Sequence, residues 1–181
     1  MKTPPPHNLQ FTQIITQRPL DPLKKLNLGC GNDIHNDMIN LDIRPFPGVD
    51  LVHDINYDWP FLPDRFQEIH AHHILEHAAN LTFQMNQAWR ILEPHGLFII
   101  TVPWFSGGWA HGDPGHRLFF DHTSFDPFST AHDRFINHGI KGPWLKKTQD
   151  YIFEPLDANF QFLKQMGISI CLGMKLTLQK P

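Results

Sequence analysis

The segment from Leu97 to Pro103 is almost entirely apolar and reads Leu-Phe-Ile-Ile-Thr-Val-Pro. A strand with apolar residues on both faces is typical of the centre of a parallel sheet that helices cover on both sides. The preceding segment, Asn80 to Leu92, carries apolar residues at steps of three and four, which predicts an amphipathic helix. A helix followed by a doubly buried strand restricts the chain to an α/β architecture.

Shorter apolar segments on both sides of this unit predict further strands of the same sheet. They are Lys24–Leu28, Met38–Ile43, Val49–Ile55, Phe66–His72, Trp144–Phe153 and Gly173–Gln179. Such an alternation predicts a mostly parallel sheet with right-handed crossovers. Residues 1–22 hold five prolines and are expected to form a poorly ordered arm, in which Phe11 to Ile15 docks on the body. Residues 23–181 are expected to form a single domain.

Composition limits the partners of this domain. The 181 residues carry a formal net charge of −3, which differs from the basic footprint of nucleic-acid binders. No apolar run reaches the length of a membrane span. The two cysteines, Cys30 and Cys171, form no disulfide framework or zinc-site spacing, which favours a reducing, cytoplasmic setting. A small-molecule partner is therefore favoured over nucleic acid or a membrane, and the oligomeric state stays open.

The ends of three successive predicted strands carry a glycine turn and two acids. The turn is Gly29-Cys30-Gly31, and Asp42 and Asp54 end the next two strands. In open α/β sheets, ligands bind beyond the carboxyl ends of the strands, and an acid there can hold a ribose. A turn alone could merely join two strands, and the two aspartates could merely end strands. Their combined order predicts a site for an adenosyl ligand.

These segments resemble the class I methyltransferases that use S-adenosylmethionine, in particular the methyltransferase type 11-like family. The resemblance rests on Leu26–Asn32, Ile39–Ile43, Asp50–Ile55, Ile69–His77 and Trp89–Gly96, and it covers about Lys24 to Phe128 and the last strand. It implies a Rossmann-like three-layer sandwich with a mostly parallel seven-stranded sheet and an antiparallel last strand. It also implies an enzyme that transfers a methyl group from S-adenosylmethionine to a small-molecule acceptor.

The resemblance also implies roles for individual residues. The glycine turn would pass beneath the methionine part of the cofactor, Asp42 would hold the ribose, and Asp54 would meet the adenine. The complete set of expected cofactor residues is Leu28, Gly29, Cys30, Gly31, Asn32, Asp42, Ile43, Asp54, Ile55, His72 and His73. Only ten residues, 32 to 41, separate Gly31 from Asp42, too few for a crossover helix and a strand. We therefore expect a shortened first crossover, with backbone amides of residues 30–33 facing the cofactor carboxylate.

The segment 104–122 follows the central strand and is predicted to be a long irregular loop over the cofactor. Loops of this length are usually functional or disordered. Similar family members carry Asp-Pro-x-His here, matched by Asp113-Pro114-Gly115-His116. If the acceptor is a hydroxyl, His116 or Asp113 could act as the catalytic base. The alternative is structural, with Asp113 capping the turn and His116 bonding to backbone, and the sequence leaves both open.

The chain holds 13 histidines, several of them crowded into residues 70–77 and 111–122. His73 and His77 are four apart, as metal-binding pairs on a helix are. No dense set of carboxylates or thiols completes a site, so we predict no metal.

Two rivals to the methyltransferase hypothesis remain. A nicotinamide-dependent oxidoreductase would need a third glycine that opens a helix, where this chain has Asp33-Ile34-His35. A non-enzymatic module that binds the cofactor or a metal is the other.

Overall fold

A computed structural model describes residues 12–129, 139–153 and 171–181. One sheet runs through this part of the chain, with a single helix of more than two turns beside it. The strands are β1 (Gln13–Ile14), β2 (Lys25–Leu28), β3 (Ile39–Asp42), β4 (Leu51–Val52), β5 (Phe66–His72), β6 (Leu92–Pro103), β7 (Leu145–Phe153) and β8 (Cys171–Gln179). The helices are α1 (Leu81–Ile91) and the short α2 (Gly108–Gly112), with 3₁₀ turns at Leu75–His77 and Asp126–Phe128.

The sheet confirms the predicted fold class. Its strand order is β1-β4-β3-β2-β5-β6-β8-β7, and the pairs from β4 through β6 are all parallel. The last strand, β8, runs antiparallel between β6 and β7. All seven predicted strands are present, and β1 adds an eighth, antiparallel to β4 at the sheet edge. Residues 29–38 contain turns but no helix, so the first crossover is shortened as expected.

The structure changes some predicted boundaries. Only Leu51–Val52 of the segment predicted as the third strand forms a strand. The strand ends early because the Asp54 side chain accepts a hydrogen bond from the Asn56 N–H at 2.9 Å, which turns the chain. The central strand begins at Leu92, directly after α1. The loop 104–122, predicted to be irregular, contains α2.

Helix α1 is stabilised both by an apolar face that packs on the core and by an N-terminal capping residue, Asn80. The side chain of Asn80 accepts a hydrogen bond from the Phe83 N–H at 2.9 Å, which satisfies one of the unpaired amides at the helix start. Met85, Ala88 and Ile91 on its inner face are fully buried in the core. Within the described ranges, no helix is both long and apolar enough to cross a membrane.

Part of the segment predicted as an N-terminal arm contacts the sheet. Gln13 and Ile14 pair with β4. Arg18 donates to the carboxylate of the buried Asp50, which lies just before β4. Residues 1–11 lie outside the described residues, and so does Phe11 of the segment that we expected to dock. The contacts of residues 13–18 place this segment against the strands that carry the predicted cofactor site.

Candidate functional site

A cavity of about 470 Å³ opens at the carboxyl ends of β2, β3, β4 and β5. This is the edge of a parallel sheet at which ligands are expected to bind. The cavity is lined by Gly29, Gly31, Leu41, Asp42, Ile43, Arg44, His53, Asp54, Ile55, Asn56, His73, Ile74, His77, Gly115 and Arg117.

The glycine turn after β2 requires glycine at its first position. Gly29 has a φ of +67°, and a Cβ there would lie 2.4 Å from the side chain of Ile74. Gly31 also has a positive φ, +52°, but a Cβ there would meet no atom within 4 Å. Gly29 is therefore fixed by packing, whereas Gly31 leaves free space where a ligand can approach the backbone.

Backbone amides hold the two acids at the cavity. Asp42 is 8% exposed, and its carboxylate accepts the N–H of Gly31 through one oxygen and that of Arg44 through the other, both at 2.9 Å. Asp54 accepts the backbone and side-chain N–H groups of Asn56, both at 2.9 Å. Each carboxylate oxygen that accepts a single N–H keeps further acceptor capacity. Both acids can thus serve a ligand without losing the bonds that orient them.

One side of the cavity mouth is apolar. The side chain of Ile43 is 58% exposed although it directly follows the buried Asp42. Ile55, which also lines the cavity, is 6% exposed. A flat apolar group that covered the Ile43 side chain would remove it from water, which is favourable.

The cavity brings together seven of the eleven expected cofactor residues, namely Gly29, Gly31, Asp42, Ile43, Asp54, Ile55 and His73. The other four do not line it. Leu28 belongs to the hydrophobic core, and Asn32 is exposed outside the cavity. The His72 ring lies 2.9 Å from the Thr101 hydroxyl. Burial raises the pKa of the Cys30 thiol to about 12, so this thiol stays protonated and is a poor nucleophile.

The lining also holds residues that were not expected there, and His53 and Arg117 are two of them. His53 is 4% exposed, and its Nδ1 lies 2.8 Å from the Thr12 hydroxyl. Its Nε2 has no hydrogen-bond partner among the described residues. Burial lowers the pKa of His53, so the ring is neutral near pH 7. His53 could have been predicted, because it stands beside Asp54 at the end of a predicted strand. Arg117 could not, because long-range packing of the loop against the turn at Glu76 brings it to the cavity.

The loop 104–122 closes the other side of the cavity. The N–H groups of Arg117 and Leu118 both donate to the Glu76 carbonyl, at 2.7 and 3.1 Å, and join the loop to the turn after β5. Asp113 accepts the Gly115 N–H at 2.7 Å, and the Nδ1 of His116 lies 3.0 Å from the Ala110 carbonyl. Asp113 therefore caps the turn and His116 contacts backbone, which are the two contacts expected if these residues have a structural role. The two side chains approach each other to 4.0 Å.

A second cavity of about 520 Å³ lies at the start of α1 and carries no comparable chemistry. Its lining, all within the described ranges, holds no acidic, basic or thiol side chain. The first cavity combines acids, histidines and glycines, so it is the candidate functional site.

Comparisons with known proteins bear on the fold. No family model and no curated protein sequence matches the chain. Among solved structures, a SAM-dependent methyltransferase from Archaeoglobus fulgidus superimposes with a TM-score of 0.59 at 10% identity, covering 89% of this chain and 88% of that one. The fold is that of the class I methyltransferases.

Two further structures share this fold. One is a Haloferax volcanii protein in complex with the Trm112 methyltransferase activator, with a TM-score of 0.55, 18% identity, and coverage of 86% of this chain and 81% of that one. The other is the [4+2]-cyclase SpnF, with a TM-score of 0.56, 13% identity, and coverage of 88% and 75%. Because one fold hosts more than one named activity, function must be argued from the cavity.

Proposed function

We propose that this protein is a methyltransferase, which binds S-adenosylmethionine in the 470 Å³ cavity and transfers its methyl group to a small-molecule acceptor. The observation that carries the proposal is the convergence of Asp42, Asp54 and the Gly29–Gly31 turn on this one cavity. The shared methyltransferase fold supports it.

The lining residues fit the cofactor group by group. Asp42 can accept hydrogen bonds from the ribose hydroxyls while it keeps its bonds to Gly31 and Arg44. The adenine would pack on Ile43 and Ile55, and its amino group would reach Asp54. The open space at Gly31 leaves room for the methionine part, and backbone N–H groups of the turn would face its carboxylate.

When bound, S-adenosylmethionine would supply a methyl group on a positively charged sulfur, and the sulfur leaves as the acceptor attacks the methyl carbon from the opposite side. The protein contributes by positioning the acceptor and excluding water. We assign this role to the loop 104–122, and the presence of its residues Gly115 and Arg117 in the cavity lining supports the assignment. Its exposed aromatic side chains, Phe105, Trp109 and Phe119, can cover a small acceptor. The net charge of −3 gives no support to a nucleic-acid substrate.

A hydroxyl acceptor would need a base, and His116 and Asp113 stay the predicted candidates. An acceptor amine or thiolate that is already deprotonated would need none.

Isothermal titration calorimetry with S-adenosylmethionine tests the proposal. We expect micromolar binding by the wild type, and binding weakened by about 10- to 100-fold in Asp42→Ala, which loses charged hydrogen bonds to the ribose. Asp37→Ala is the matched control, because Asp37 lies on the exposed turn before β3, outside the cavity. Wild-type protein that binds no S-adenosylmethionine, or binding equally weakened by both changes, would contradict the proposed site.

Turnover is a separate question from binding. Mixing the protein with methyl-labelled S-adenosylmethionine and a panel of phenols, amines, thiols and carboxylates should yield a labelled product and S-adenosylhomocysteine. Binding without transfer to any acceptor would favour the non-enzymatic module.

A further inference from the structure

Three side chains that can bind a metal meet beside the cofactor cavity. Glu76 and His77 lie in the 3₁₀ turn after β5, and His116 comes from the loop 104–122. One donor atom of each lies within 4.8 Å of the donor atoms of the other two. The rings of His77 and His116 are 4.7 Å apart and nearly perpendicular. Residues about 40 positions apart in sequence thus form one compact donor set.

Glu76 is the unusual member of this set. Its side chain is 1% exposed, yet its Oε2 has no hydrogen-bond partner within the part of the chain that the structure describes. Its Oε1 lies 3.3 Å from the Nδ1 of the exposed His73. A buried carboxylate with an unpaired oxygen is costly unless a cation or a hydrogen-bond donor compensates it. Glu76 therefore points to a cation or a hydrogen-bond donor that the described residues do not supply.

Backbone carbonyls orient both histidines. The Nδ1 of His116 lies 3.0 Å from the Ala110 carbonyl, and the Nδ1 of His77 lies 3.3 Å from the Gly115 carbonyl. A carbonyl only accepts, so Nδ1 carries the proton in each bond and the lone pair is left on Nε2. Histidines that bind metals nearly always donate their other ring N–H in this way. Both histidines therefore have the kind of supporting contact that metal-binding histidines use.

We propose that Glu76, His77 and His116 bind one divalent transition-metal ion, with zinc as the reference case. Two imidazoles and one carboxylate suit zinc or iron, whereas magnesium prefers oxygen ligands. Ligands at about 2.1 Å from a tetrahedral ion lie about 3.5 Å apart, so a modest contraction of the observed cluster would complete the site.

The position of this site connects it to the proposed function, on which this further step rests. His77 also lines the cofactor cavity. Three protein ligands leave at least one coordination position for an exogenous group. An acceptor with an oxygen or nitrogen donor could take that position, which would hold it beside the methyl group. Ligation uses the Nε2 lone pair of His116, so His116 is then a ligand and is not free to act as the base.

Zinc titration of untagged, chelator-stripped protein tests the site. We expect calorimetry to show one equivalent of bound zinc in the wild type and weak or no binding of magnesium. Glu76→Gln, His77→Gln and His116→Gln should each weaken zinc binding by at least about 100-fold, because even the supporting partners of ligands contribute 10- to 100-fold. His122→Gln is the matched control, since His122 is an exposed histidine at the end of the same loop and outside the donor set.

The folding of each metal-free variant is checked by circular dichroism and by its midpoint of urea denaturation. Wild-type protein that binds no zinc, or zinc binding unchanged in His116→Gln, overturns the metal site. S-adenosylmethionine binding in that same metal-free protein would leave the methyltransferase proposal standing. Zinc binding without S-adenosylmethionine binding would overturn that proposal and leave the metal site standing.

Discussion

The two walls of the cavity are built in different ways. One wall would hold the proposed cofactor and is called the cofactor wall; it is formed by residues 29–31, 42–44 and 53–56. It consists of strand ends whose two acids, Asp42 and Asp54, accept backbone N–H groups of the same wall. The loop wall, formed by residues 104–122, is held to the body partly through two bonds to one carbonyl, that of Glu76, and exposes large aromatic side chains. A rigid cofactor wall opposite a variable loop wall is how one fold can serve many acceptors.

The largest expected effect tests the rigidity of the cofactor wall. Gly29→Ala places a Cβ 2.4 Å from Ile74 at a positive φ, so we expect a loss of about 2–4 kcal/mol in the free energy of unfolding. Binding of S-adenosylmethionine should fall with it. Urea denaturation and calorimetry measure the two effects.

Gly31→Ala is the control within the same turn. The φ of Gly31 is also positive, so the backbone penalty is the same, but the added Cβ would lie more than 4 Å from any atom beyond the adjoining residues. We therefore expect a loss of about 1 kcal/mol in the free energy of unfolding. The cost of Gly29→Ala should be smaller when it is measured in an Ile74→Ala background, where the clash is removed. Equal losses for the two glycines would show that packing against Ile74 does not define this wall.

A smaller loss of stability is expected when the contact between Arg18 and Asp50, next to the strands of the cofactor wall, is removed. Arg18 donates to both carboxylate oxygens of Asp50, and Asp50 also accepts the Asn40 N–H at 2.8 Å. Burial raises the pKa of Asp50, but the bonds from Arg18 and Asn40 outweigh it and hold the pKa below its usual value of 3.8. Arg18→Met leaves a buried carboxylate without its cation, so we expect a loss of about 2–3 kcal/mol at pH 7.

The pH dependence of this loss has a definite sign. Because the pKa of Asp50 is lower in the folded protein than in the unfolded chain, its stabilising contribution is complete above pH 3.8 and declines as the pH falls through the folded pKa. Wild type and Arg18→Met should therefore converge in stability towards acid pH, as measured by urea denaturation at pH 7, 5 and 3.5. Lys25→Met removes only surface ion pairs and should change stability by less than about 1 kcal/mol. A difference that persists unchanged at low pH would argue against the Arg18–Asp50 pair.

The same contrast explains what the sequence could predict. The strands, α1 and the acids at the strand ends follow from short-range patterns, and the Gly29–Gly31 turn, Asp42 and Asp54 indeed meet in one cavity. The helix-free first crossover followed from counting residues between Gly31 and Asp42. Arg117 and the partnership of Glu76 with His116 depend on how a distant loop folds back, which no local pattern encodes.

The smallest expected effect addresses the loop wall, where the roles of Asp113 as turn cap and as base make opposite predictions. Asp113 is exposed and accepts the Gly115 N–H, so Asp113→Asn keeps an acceptor oxygen for the turn but removes the basic carboxylate. For a cap, we expect Asp113→Asn to retain stability and kcat within about twofold, and Asp113→Ala to lose about 0.5–1 kcal/mol. If Asp113 is the base, Asp113→Asn should instead lower kcat by about 100-fold or more, because general-base catalysis contributes on that scale. That result would show that the loop wall, like the cofactor wall, contains a carboxylate that the function requires, because Asp113 could then not be replaced without loss of turnover.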